Sequence, residues 1–96
     1  INTASNEIPE GFYLEQNYPN PFNPETIINY ELGIKNFINL KIFDAAGKEV
    51  AVLVNENQNA GKYSVAFDGS NLASGLYFYE LTAGDFKETK RMILMK

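Results

Sequence analysis

Cysteine and histidine are both absent from the 96 residues. Without them there is no disulfide, no thiolate metal site, no cysteine nucleophile and no imidazole base, and no serine stands in a nucleophile-elbow pattern. Only carboxylates remain for chemistry. The 12 Asp and Glu residues are scattered among turns and solvent faces, which marks them as solvated charges, and neither a catalytic pair nor a cofactor is expected. Asp44, Asp68 and Asn71 lack the spacing of a calcium loop and are accounted for as turn formers. A basic excess is missing too, since the formal charge is −4, and this removes the electrostatic basis of nucleic-acid binding. No apolar run approaches the ~20 residues that span a bilayer, so no transmembrane segment is expected. Helical spacing is lacking throughout, and the four prolines all fall before residue 25.

What is present is a globular balance, 45% hydrophobic and 14% aromatic against 21% charged, which suits one packed domain. Residues 1–10, "INTASNEIPE", are polar and aperiodic and are expected to be a linker with a frayed start, with the domain running over 11–96. From there the apolar pattern has period two. Thr26, Ile28, Tyr30 and Leu32 share one face of a strand, and Ile38, Leu40 and Ile42 share a face of the next. "DAAG" at 44–47 turns the chain into a strand over 48–54, followed by a polar loop over 55–61. "KYSVAF" sets Tyr63, Val65 and Phe67 on one face, and "GLYFYEL", a turn at 83–85 and "FKETKRMIL" close a hairpin. With a short entry strand near Tyr13, these make about seven antiparallel strands, the density of an all-β, immunoglobulin-like β-sandwich. Leu40, Ile42, Val65, Tyr77, Tyr79 and Leu81 are expected inside it.

The stretch "QNYPNPFNP", residues 16–24, is stiffened by its prolines, which push Tyr18, Asn20 and Asn23 toward extended conformations. Tyr18 and Phe22 are expected to pin the segment onto the sandwich rather than to present "PFNP" as a polyproline ligand. Tyr18-Pro19 is the best cis candidate, yet trans is the expectation, because cis is found in only about 5–6% of X-Pro bonds.

Three blocks in order carry a family resemblance: "LEQNYPNPFNPETIINYEL", "KIFDAAGKEVAVLV" and "AGKYSVAFDGSNLASGLYFYELTAGDFKETKRMILMK". Over about residues 14–96 the chain resembles the C-terminal sorting domain of type IX secretion substrates of Bacteroidetes and related Gram-negative bacteria. The resemblance implies an immunoglobulin-like sandwich recognised by the secretion machinery and attached to an N-terminal cargo. It implies export through the periplasm to the cell surface or medium, with a surface sortase that removes the domain and anchors the cargo. A signal segment would then lie at the far end of a longer chain, of which this is a fragment. The family's glycine-any-tyrosine element falls on Gly75 and Tyr77. Its basic, apolar, basic ending falls on Lys90, Arg91, Met92, Ile93, Leu94, Met95 and Lys96, and these nine residues are the recognition candidates. No cleavage sequence is recognisable in residues 1–12. A related module of flagellar hook-capping proteins would imply an assembly role, but Tyr18 to Pro24 and the terminal run favour sorting. Structural or carbohydrate-binding modules remain the rival class, because tyrosines on a small sandwich stack on sugars. Tyr77 and Tyr79 alternate with Phe78, however, and are read as core.

Charge and pattern converge on the last strand. Lys87, Lys90, Arg91 and Lys96 against Glu88 leave +3 on residues 86–96, so the rest of the chain carries −7 of the total −4. Met92 to Met95 is apolar on both faces, which suits either a fully buried strand or an edge open to strand addition.

Overall fold

A computed structural model describes residues 11–96, and the linker expected at 1–10 lies outside them. Seven strands follow in order: β1 (Tyr13–Leu14), β2 (Glu25–Leu32), β3 (Asn36–Asp44), β4 (Glu49–Gln58), β5 (Gly61–Asp68), β6 (Gly75–Ala83) and β7 (Phe86–Leu94). They pair antiparallel into a three-stranded sheet, β1-β2-β5, and a four-stranded sheet, β4-β3-β6-β7. First, second and fifth strands thus form one layer, while third, sixth and seventh form the other with the fourth beside the third, the layering of an immunoglobulin-like sandwich. No α-helix occurs among the described residues.

Alternation puts the core where period two predicts it. Ile28, Tyr30 and Leu32 of β2 meet Ile38, Leu40 and Ile42 of β3, Tyr77, Tyr79 and Leu81 of β6, and Met92 and Leu94 of β7, all buried. Leu40 lies opposite Leu81 and Ile42 opposite Tyr79, all four buried, so the inward faces read for the central strands hold. Val65 is the exception, half-buried rather than inside. It sits on β5, which has β2 as its one strand neighbour, and an edge position leaves a side chain open on its free flank.

The turn at 44–47 closes as expected. Asp44 accepts backbone N–H bonds from Ala46 at 3.0 Å and Lys48 at 2.9 Å, and Gly47 takes a φ of 87° that a side chain would disfavour. The polar loop expected at 55–61 is instead mostly strand. Asn55, Glu56, Asn57 and Gln58 pair with Asn39, Ile38, Phe37 and Asn36, and an edge strand tolerates polar residues because much of it faces water.

The proline-rich stretch passes from one sheet to the other. Tyr18 bridges Ile27 of β2 antiparallel, and four residues later Phe22 bridges Leu94 of β7 in parallel. Two expectations are corrected here. Tyr18-Pro19, Asn20-Pro21 and Asn23-Pro24 are all cis, in a segment whose turns are fixed by hydrogen bonds to both layers. Phe22 is buried and pins the segment, but Tyr18 is 77% exposed, because its backbone rather than its ring makes the contact with β2.

Candidate recognition surface on the last strand

β7 is an edge strand with β6 as its partner, which decides between the two readings of its apolar run. Even-numbered residues turn inward, so Met92 and Leu94 are core; odd-numbered ones turn outward, leaving Ile93 44% exposed and Met95, just beyond the strand, 59% exposed. The nine candidates therefore separate. Tyr77 is buried and its hydroxyl donates to the Ala73 carbonyl at 2.7 Å. Lys90 is half-buried and lies 3.4 Å from Glu88. Lys96 folds back, its ammonium donating to the carbonyls of Ser70 at 2.7 Å and Leu72 at 2.8 Å. Gly75, Arg91, Ile93 and Met95 are exposed.

Three residues outside the nine complete the outward corner. Leu76, 37% exposed, lies opposite Ile93, and Phe78 lies opposite Arg91 and also pairs with Phe43, which places four apolar side chains and a guanidinium on the solvent face of one sheet. Antiparallel sheets usually present polar residues on that face. The signal for Leu76 and Phe78 was present in the sequence, since burying Tyr77 and Tyr79 forces their neighbours outward. With those tyrosines in the core, neither forms a sugar-stacking platform.

Behind the corner lies a buried polar clamp. Asn17, 2% exposed, donates its backbone N–H to the Tyr79 hydroxyl at 2.8 Å, and that hydroxyl donates to the Glu15 carbonyl at 2.7 Å. The Asn17 amide donates to Thr26 Oγ1 at 2.9 Å and to the Pro19 carbonyl at 3.1 Å, while Thr26 donates to the same carbonyl at 2.8 Å. Residues of both sheets thereby fix the proline-rich segment. From it, Asn20 Oδ1 accepts the Ile93 N–H at 2.9 Å, Phe22 exchanges two 2.9 Å bonds with Ile93 and Met95, and Gln16 Nε2 donates to the Arg91 carbonyl at 2.8 Å.

Burial pushes the Tyr79 phenol up to about 12, against the lowering effect of the Asn17 amide, and burial does the same for Tyr30, which donates to Gln58 Oε1. In the unfolded chain both phenols ionise near 10. The unfolded state therefore gives up its protons first, so stability is complete below pH ~10 and drains away as pH climbs toward ~12. Melting temperature should fall across that interval, and less steeply in Tyr79→Phe; a flat profile would contradict these burials. Asp68 is held below the usual carboxylate range by the Ser70 hydroxyl and backbone N–H, so its role is in a turn.

Among the described residues no cluster of three acidic or other ligating side chains is arranged to hold a metal. A cleft of about 520 Å³ lies at the opposite end, lined by Phe12, Ile34, Asn36, Ala83, Asp85 and Phe86, with Asp85 its one ionisable group. Among the described residues no helix is long and apolar enough to cross a membrane.

No curated protein matches the chain. The family described as the secretion system C-terminal sorting domain matches residues 16–95, from Gln16, at the start of the proline-rich segment, to Met95, just past β7. Edge strand, exposed corner and all of the clamp but the Glu15 carbonyl fall inside that match, and the chain belongs to this family of type IX secretion sorting domains.

Proposed function

We propose that this domain directs a cargo attached to its N-terminal side through the type IX machinery to the cell surface or medium, and that it does so without catalysis. Arg91, Ile93 and Met95, with Leu76 and Phe78 beside them, are the docking element. The observation that carries this is an apolar corner on the solvent face of an edge strand in a chain of the sorting family. Exposed clusters of this kind mark protein contacts, and the local positive charge steers approach of an acidic partner. After translocation a surface sortase removes the domain and the cargo is anchored.

The test is a passenger protein fused ahead of residues 1–96 in a bacterium with type IX secretion. Combining Leu76→Thr, Arg91→Glu and Ile93→Thr should lower passenger in the medium by on the order of tenfold, the loss of ~1.4 kcal/mol of docking energy. The purified variant should stay within about 1 kcal/mol of the parent, because none of the three is buried. Undiminished export of a folded triple variant would sink the docking assignment. A passenger that reaches the surface still carrying the domain's mass would remove the sortase step.

A further inference from the structure

The outer edge of β7 is divided. In an antiparallel strand both backbone groups of every second residue point away from the neighbouring strand, and Ile93 fixes which residues these are. Its N–H donates to Asn20 Oδ1 and its carbonyl accepts from Phe22. Met95 donates to the Phe22 carbonyl, and the Arg91 carbonyl accepts from Gln16. The proline-rich segment thus already occupies the edge from Arg91 onward, in the manner of an added strand. Going back by twos, the Arg91 N–H and both groups of Thr89 and Lys87 continue the same outward row, and they have no hydrogen-bond partner among the described residues.

We propose that Lys87–Arg91 is a strand-addition site for an extended, carboxylate-bearing segment of the secretion machinery, and that residues 93–95 are closed to such pairing. The proposal rests on the sorting function given above and specifies which backbone does the pairing. Unpaired edges accept a partner strand through main-chain hydrogen bonds, with affinity set by those bonds and selectivity by flanking side chains. The flanking side chains here are Lys87 and Arg91 on the sheet's solvent face and Lys90 on the other, within the segment that carries +3 while the rest of the chain carries −7. An acidic strand is attracted to this edge and repelled by the remainder of the domain.

Proline at an outward position separates pairing from folding. In Thr89→Pro the lost N–H points away from β6, so no bond of the β6–β7 ladder is removed, whereas an incoming strand loses a donor and meets the ring. Passenger export should fall by on the order of tenfold, which one or two lost backbone bonds supply. Lys87→Pro repeats the test one outward position earlier, should Thr89→Pro prove unfolded by melting. Independently, amide hydrogen exchange on the intact 96-residue chain should be fast at Lys87, Thr89 and Arg91 and slow at Ile93 and Met95. Slow exchange at Lys87 and Thr89 would overturn the proposal, because the edge would already be filled. Normal export of folded proline variants, with loss in the Leu76, Arg91 and Ile93 triple variant, would also overturn it. The lysines would then serve to keep the edge from aggregating, and the sorting function would stand. A concentration-dependent dimer abolished by Thr89→Pro would place a second copy on the edge in the machinery's stead.

Discussion

Deleting residues 90–96 is expected to unfold the domain. The segment holds the end of the last strand, and Met92 and Leu94 within it are fully buried. Leu94 packs so closely on the β5–β6 loop that a Cβ added to Gly69 would sit 3.1 Å from its Cδ2, and Phe22 is bridged to it from the proline-rich segment. Lys96 ties down the same loop through two carbonyls, and its backbone N–H donates to Ser74 Oγ at 2.9 Å. Truncating one such apolar side chain costs about 2–5 kcal/mol, and the whole stability of a small domain is about 5–15 kcal/mol. Losing two side chains together with their ladder bonds therefore exhausts most of it. Urea unfolding should show no cooperative transition and near-ultraviolet dichroism should collapse; a sharp transition near the parent's midpoint would refute the packing of β7.

Absent export of that deletion would accordingly say nothing about recognition, since an unfolded domain fails for its own reasons. Charge reversal at Lys90 is a poor probe for another reason. Its half-buried side chain lies beside Glu88, and ion pairs that water still reaches contribute only about 0–1 kcal/mol. Arg91 is the cation that the fold sets on the apolar corner, opposite Phe78.

Much of this architecture was legible because a half-buried strand writes its inner face at period two. Leu40, Ile42, Tyr79 and Leu81 could be placed inside from spacing alone, and all four are buried. The signal weakens at edges. β4 runs on through Asn55–Gln58 although those residues read as loop, and Val65 on β5 keeps part of its side chain in water. At such positions polarity carries little information about hydrogen bonding, since one flank has no strand neighbour. The recognition candidates came from matching a terminal pattern, which ranks residues by type and not by direction. It gathered core side chains, Met92, Leu94 and Tyr77, together with outward ones, Arg91, Ile93 and Met95. Asn17 gives no such signal. A polar residue beside prolines reads as solvated, and its burial follows from contacts 9 and 62 residues away that no local pattern encodes.

Tyr79→Phe is expected to be the most damaging conservative change. The ring stays in the core, but the Asn17 N–H loses its partner in a buried site and the Glu15 carbonyl loses its own in a part-buried one. Each orphaned group costs about 1–3 kcal/mol, so roughly 2–4 kcal/mol in urea unfolding is expected after partial relaxation. Asn17→Ala removes the side-chain bonds to Thr26 and the Pro19 carbonyl while sparing the backbone bond to Tyr79, and should cost about 1–3 kcal/mol. Because both changes loosen the same segment, the double variant should fall short of additivity by about 0.5–3 kcal/mol. The loosening has a local signature. Freed from the clamp, the proline-rich segment should let go of β7, so that amide exchange accelerates at Ile93 and Met95 while Leu40 and Leu81, deep in the ladder, change only with global stability. Additive costs with unaltered exchange at Ile93 and Met95 would mean that the clamp and the edge of β7 are independent. Coupling would mean instead that Tyr79, buried and remote from any partner, sets how much of the last strand's edge the domain keeps for itself.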